Sequence, residues 1–167
     1  MFSKLLRNNL KQAGQNTISI RQEIKLLEAY LKLEQFRLED KFHFEIDAKG
    51  VQHILDEELP QFLIQPFVEN SIQHGIKDLK EKGVIKIKIS HGSGFIKIII
   101  EDNGLGINHS QELKKTYSIE KESYGISITM ERLLLYNKLE RGIDIIDLSE
   151  EDKRGTKVVM YIKRSKE

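Results

Sequence analysis

The sequence predicts an α+β, two-layer architecture, with helices on one face of a mixed, mostly antiparallel sheet. Three observations predict it. The alternating run Val84-Ile85-Lys86-Ile87-Lys88-Ile89 and the apolar run Phe95-Ile96-Lys97-Ile98-Ile99-Ile100 flank the turn formers His91-Gly92-Ser93-Gly94, which reads as a hairpin. A stripe at Ile20, Ile24, Leu27 and Leu31 recurs at spacings of four, three and four, the period of a helix. Two further strand-like runs, 143–148 and 157–163, follow a helix-like stretch over about 125–139. Helical and strand patterns interleaved in one chain of 167 residues call for a sheet with helices packed on it, in a single domain large enough for a true core.

In chain order, residues 2–12 fit a helix through Phe2, Leu5, Leu6 and Leu10, ended by the polar Gly14-Gln15-Asn16-Thr17. The next helix is expected to run to about Leu38, with Ser19 as N-cap and Gln22 completing a capping box. Its stripe either packs on its own domain or forms one side of a helix pair between subunits. Phe42-His43-Phe44-Glu45-Ile46 alternates and is the first expected strand, and residues 51–59 are expected to form a polar connection. Pro60 suits the first position of a helix, so an apolar helix is expected over 60–76, perturbed or restarted near Gln65 by Pro66. After the hairpin, residues 108–123 have several charges and few apolar residues. A long loop is expected there, and loops of this length are usually functional.

Composition narrows the function. Charged residues are 32% of the chain, yet the net charge is only +1, which provides no broad field for nucleic acid or a membrane surface. The absence of cysteine excludes disulfides and thiolate metal sites. No apolar run reaches the length of a membrane span, and the first residues lack an apolar signal core, so a cytoplasmic location without membrane contact is expected.

Four short stretches point to chemistry. Glu101-Asp102-Asn103-Gly104-Leu105-Gly106-Ile107 ends an apolar strand in one fixed carboxylate and two glycines, an arrangement that lets backbone approach a ligand closely. Turn chemistry alone also produces Asp-Asn-Gly. Glu69-Asn70-Ser71-Ile72-Gln73-His74-Gly75 places an amide inside an apolar helix, where an unpaired one costs about 1–3 kcal/mol. Two readings fit Asn70: a hydrogen bond to a neighbouring loop, or a hard oxygen ligand for Mg²⁺. His74, one helical turn on, either sits on the same face or closes the helix end before Gly75. Ser123-Tyr124-Gly125-Ile126-Ser127 opens a helix with small residues that expose backbone N–H groups to phosphate. Gly155-Thr156 opens the last strand.

In this order the four resemble the ATP-binding domain shared by sensor histidine kinases, type II topoisomerases, ninety-kilodalton heat-shock chaperones and mismatch-repair ATPases, a Bergerat-type fold. The stretch from Gln65 to Gly75 resembles the N box, Asp102 to Ile107 the first glycine box, Ser123 to Leu133 the second, and Arg154-Gly155-Thr156 the closing element. The Gln65-Pro66-Phe67-Val68-Glu69-Asn70 form, with Tyr30-Leu31-Lys32-Leu33-Glu34-Gln35-Phe36-Arg37 upstream, is similar to LytS-like bacterial sensor kinases. The resemblance implies roles. Asp102 would accept from the adenine amino group, with Thr156 supporting the same edge. Asn70 would bind Mg²⁺ on the triphosphate of ATP, with Glu69 and His74 beside it. Gly104, Gly106, Ile107, Gly125 and Ile126 would wrap the nucleotide, and residues 108–123 would form its lid.

The sequence also departs from the family pattern. The second box has Ser123, Ile126 and Ile128 where glycine, leucine and asparagine are usual, and position 73 is Gln rather than basic, which weakens the expected grip on phosphate. ATP-hydrolysing relatives place a glutamate four residues before the asparagine; here that position is Pro66. None of the five histidines lies in the Pro-His-Phe-Leu-Phe-Asn context of the phosphoacceptor. The expectation is a catalytic domain over 41–167 with a helical lead-in at 1–40, cut from a longer, membrane-anchored receptor. Its expected partners are the phosphoacceptor and dimerisation helix of that receptor, a homodimeric second copy, and a response regulator. A nucleotide-binding regulator without kinase activity and a chaperone- or topoisomerase-like ATPase are the alternatives.

Overall fold

Every long alternating run becomes a strand. The computed structural model describes residues 17–106, 123–138, 140, 142–148 and 153–164. In order, these form β1 (Thr17–Ser19), α1 (Ile20–Arg37), β2 (Phe42–Asp47), β3 (Glu58–Pro60), α2 (Gln65–Asn70), β4 (Gly83–Gly92), β5 (Phe95–Asp102), α3 (Ser123–Tyr136), β6 (Ile143–Asp147) and β7 (Thr156–Lys163). The main sheet has the order β2-β4-β5-β7-β6; β2 runs parallel to β4 and every other neighbouring pair is antiparallel. β1 and β3 pair separately as a small antiparallel ribbon.

Period-two patterning decides the layers. Ile85, Ile87 and Ile89 of β4, Ile96, Ile98 and Ile100 of β5, and Val158, Met160 and Ile162 of β7 enter one core with Leu27 and Leu31 of α1, Phe67 and Val68 of α2, and Leu133 of α3. Each such side chain stabilises the fold by about 1.5–3 kcal/mol on burial. The intervening residues, Lys86, Lys88, Lys97 and Glu101 among them, lie on the uncovered side, where the Lys97 ammonium stands 5.6 Å from the Tyr161 ring centroid. A slip of one residue would drive these charges into the core, so register is strongly set.

α1 begins as expected. Ser19 caps it, and the reciprocal bonds of the capping box with Gln22 are both present. Ile20, Leu27 and Leu31 are buried within the domain, so this stripe packs on its own sheet rather than on another subunit. Other expectations are corrected. A short strand, β1, precedes the helix, and the supposed polar connection holds a 3₁₀ segment, Lys49–Ile54, and then β3. Pro60 closes β3 instead of opening a helix; its preset φ suits an extended end as well as a helix start. The helix starts at Gln65 with Pro66 in its first turn, where the missing N–H costs nothing. From Ser71 to Ile76 it widens into a π turn, closed by the Lys77 amide donating to the Ile72 carbonyl. The helix expected at 2–12, Ile107, the loop over 108–122 and the turn residues 149–152 lie outside the described residues.

Candidate nucleotide site

The site gathers around the C-terminal end of β5. There Asp102 is 4% exposed, and the central strand pair β5–β7 with the π turn closes over it. Its Oδ2 accepts from the Ser71 hydroxyl at 2.6 Å. Its Oδ1 accepts from the backbone N–H of Gly104 at 2.9 Å and of Thr156 at 3.2 Å. One carboxylate therefore ties together three stretches far apart in sequence. Burial pushes the Asp102 carboxyl above its ordinary range, the three hydrogen bonds pull it back, and the nearby Glu101 charge adds to the rise. A carboxylate has about four acceptor positions, and three are used here, so it can still accept from an external N–H₂ group.

The glycines are there for proximity. A Cβ on Gly104 would lie 2.5 Å from the Gly75 Cα and 2.8 Å from Asp102 Oδ1. Backbone meets backbone at this point, and the Leu105 amide donates to the Gly75 carbonyl at 3.1 Å. Gly155, at φ +117, passes so close to Asp102 that a Cβ would fall 1.7 Å from its carbonyl oxygen. Gly106 has φ +79 and faces Asp147. Asn103, by contrast, is structural: its Oδ1 accepts from the Val84 amide at 2.6 Å and locks the start of β4.

Asn70 ends α2, half-buried, and its side chain makes no hydrogen bond with any described residue. The loop-bonding reading of this amide therefore has no support among the described residues, and a neutral, hard oxygen remains available. Glu69, also half-buried, accepts from the Gln65 amide at 2.8 Å. His74 lies in the π turn, half-buried and with contacts of its own. Gly125 and Ile126 lie in the first turn of α3, with the Gly125 carbonyl bonded by the Thr129 hydroxyl at 2.8 Å and Ile126 packed on the core. Thus Asp102, Gly104 and Thr156 meet directly, while Glu69 and Asn70 join them through adjacent Ser71. Among the described residues, no hydrogen bond joins Gly125 or Ile126 to Asp102.

Sequence reasoning missed Ser71, Gly75 and Gly155 as site residues. A hydroxyl directly after Asn70 was the only signal for Ser71. Gly75 and Gly155 lie inside motif stretches, but their role follows only from where the backbones touch.

Comparison with known proteins agrees with this geometry. The chain belongs to the histidine kinase-, DNA gyrase B-, and HSP90-like ATPase family, whose model matches residues 55–166. ATP is the nucleotide that this membership assigns. A histidine kinase model also matches residues 1–42. The chain is 36% identical over 147 residues to the sensor protein LytS of Oceanobacillus iheyensis, covering 87% of this chain and 24% of that protein. To LytS of Staphylococcus epidermidis it is 38% identical over 112 residues, 66% of this chain and 18% of that one. The chain thus spans about a quarter or less of the length of these relatives. Among solved structures, the catalytic domain of histidine kinase ThkA superposes with a TM-score of 0.61 at 16% identity, covering 89% of this chain and 97% of that one. ThkA in complex with the response regulator TrrA matches with a TM-score of 0.55 at 17% identity, covering 98% of this chain and 47% of that one. At these identities the likeness is one of fold.

Proposed function

We propose that this chain is the ATP-binding catalytic part of a two-component sensor histidine kinase, which passes the γ-phosphate of ATP to a histidine outside the chain. The observation that carries the reading is the buried Asp102 carboxylate, held by Ser71, Gly104 and Thr156 with acceptor capacity left for an adenine amino group. Asp102 fixes the base. The backbone of Gly104, Gly106, Ile107, Gly125 and Ile126 follows the ribose and phosphates, with His74 flanking them. Glu69 and Asn70 stand at the catalytic end, where the Gln65 amide steadies the Glu69 carboxylate.

The donor set suits Mg²⁺, because a single half-exposed amide oxygen such as that of Asn70 fits an ion that keeps several waters and takes phosphate oxygens. When bound, Mg²⁺ neutralises charge on the phosphoryl oxygens. The protein's own contribution is positioning, which is most of what phosphoryl transfer requires. Residues 41–167 are the nucleotide domain and residues 1–40 its lead-in, with α1 packed against the domain. The acceptor would be the phosphoacceptor and dimerisation helix of a homodimeric receptor, and a response regulator would receive the phosphate next. No helix among the described residues is long and apolar enough to cross a membrane, which suits the cytoplasmic portion of such a receptor.

Calorimetric titration with ATP, with and without Mg²⁺, tests the site, and phosphotransfer to a separately supplied phosphoacceptor helix tests the reaction. The purified chain alone should acquire no label from ATP. Stable, acid-labile labelling of the chain itself would place the acceptor among its own histidines, and absence of ATP binding would remove the kinase reading altogether.

A further inference from the structure

One buried charge lies outside the nucleotide site and has no part in the reading above. Glu23, on α1, is 2% exposed. It reaches across to the turn over 61–64 that leads into the N-box helix. Its Oε2 accepts from the Phe62 amide at 3.1 Å and its Oε1 from the Ile64 amide at 3.3 Å. Phe62 sits at φ +55, so the turn has the alternating hand that makes nearby N–H groups converge on one acceptor, and here the acceptor is the Glu23 carboxyl, which burial pushes above its ordinary range. Ile64, the residue before α2, offers no capping side chain. The Glu23 carboxyl, from another element, instead holds the Ile64 amide itself, one residue before the helix.

The turn and the strand before it are also held by α3. The Arg132 guanidinium of α3 donates to the Gln61 carbonyl at 3.2 Å, and the Tyr136 hydroxyl donates to the Glu58 carbonyl at 3.1 Å. The start of α1 is itself sewn to this segment, with the Ile20 amide bonded to the Glu57 carbonyl and the Arg21 amide to the Leu55 carbonyl, both at 2.9 Å. α1 lies in the part of the chain matched by the histidine kinase model, and the turn lies in the part matched by the ATPase model. Glu23 is therefore a direct polar link between the two, and it ends six residues before Asn70.

We propose that Glu23 is a positioning residue for the nucleotide site: it sets the 61–64 turn, and through it the placement of the helix that presents Asn70, so that a displacement of α1 is felt at the metal-binding end of the site. The inference rests on the reading of Asn70 as the Mg²⁺ ligand. Glu23 touches neither nucleotide nor metal. Its loss should affect the adenine end less, because Asp102 is held there by the amides of Gly104 and Thr156 as well as by Ser71 of the N-box segment.

The test compares the wild-type chain with Glu23→Ala and Glu23→Gln, the second keeping shape and one acceptor oxygen should alanine fail to fold. Hydrogen exchange without nucleotide should be about tenfold faster at the Phe62 and Ile64 amides and through residues 65–76 in Glu23→Ala, with Glu23→Gln between it and wild type. The gain in ATP affinity conferred by Mg²⁺ should fall by about fivefold or more, while ADP affinity in EDTA stays within about twofold of wild type. Unchanged exchange through 65–76, an undiminished Mg²⁺ gain, or parallel loss of both affinities would overturn the proposal alone. A wild-type chain that gains nothing from Mg²⁺ would overturn the functional reading and this proposal with it.

Discussion

Asp102 occupies a position where two demands conflict. A ligand that offers an N–H₂ group needs an ionised acceptor, whereas burial favours the neutral acid. Three hydrogen bonds reduce the conflict without removing it, since the carboxyl remains above its ordinary range. The consequence for stability has a definite sign. A carboxyl raised in the folded state contributes stability that is fully present below its unfolded value, about 3.9, and lost as pH rises through the folded value. Asp102→Asn lacks this dependence, so the melting temperature of the variant relative to wild type should climb as pH is raised from about 3.5 towards neutrality. Thermal unfolding across that range checks it, and a difference independent of pH would contradict the burial argument. ATP affinity of the wild type should move the opposite way and strengthen with pH, because ionisation removes the O–H donor and makes the remaining acceptor charged. At neutral pH, Asp102→Asn should lose a charge-assisted hydrogen bond of about 1.5–3 kcal/mol, a fall in ATP affinity of roughly 10- to 150-fold. Calorimetry giving wild-type affinity with an intact fold would remove adenine from this position. Asn70→Ala should weaken ATP chiefly when Mg²⁺ is present, so the two variants separate the base from the phosphates.

Between elements, the site is made by backbones that touch, and glycine is what permits it. Gly155→Ala would place a methyl group 1.7 Å from the Asp102 carbonyl oxygen at a φ of +117. The dihedral alone costs about 1–3 kcal/mol. The clash is with backbone, so no side chain can rotate away, and β7 must part from β5 where Lys157 faces Glu101. A melting temperature lower by several degrees is expected, together with loss of ATP binding. Gly50→Ala is the control. No atom stands within 4 Å of its Cβ position, so it should be neutral or stabilise by about 0.4–1 kcal/mol. Equal destabilisation by both would mean that close approach is not what Gly155 provides. The same distinction explains what could be read in advance. The hairpin of β4 and β5 was legible because the alternation of Val84–Ile89, the apolar run Phe95–Ile100 and the glycines between them are local properties. The carboxylate and glycines at 102–106 were legible because their spacing is local too. The π turn after Asn70, the strand ending at Pro60 and the hydroxyl of Ser71 on Asp102 were not. Pro60 suits two conformations, an extra residue in a helical turn leaves no periodic mark, and the partner of Ser71 lies 31 residues away.

On the scale of the whole molecule, the segment before the N box is where distant parts of the chain converge. α1 enters it through backbone bonds at Leu55 and Glu57, α3 through Tyr136, and the end of β7 through Arg164. The Arg164 Nε lies 3.1 and 3.0 Å from the two oxygens of Glu57, across 107 residues of sequence. The side chains are 20% and 11% exposed, which makes this the most protected of the ion pairs between described residues. Surface pairs contribute about 0–1 kcal/mol, but removing one partner of a sheltered pair also leaves a desolvated charge behind. For Arg164→Ala the expected loss is about 1–3 kcal/mol, below the cost of a fully buried pair because some water reaches this one. In a domain of this size that corresponds to a fall of roughly 2–12 °C in melting temperature. Arg164→Lys should recover only part of it, since an ammonium keeps the charge but cannot present the two-pronged geometry of a guanidinium. The decisive measurement is a double-mutant cycle with Glu57→Gln followed by chemical denaturation. A coupling of about 1 kcal/mol or more is expected, only modestly reduced by salt. Additive effects with no coupling would mean that the end of β7 is held by packing alone, and that the convergence on residues 55–64 depends on α1 and α3.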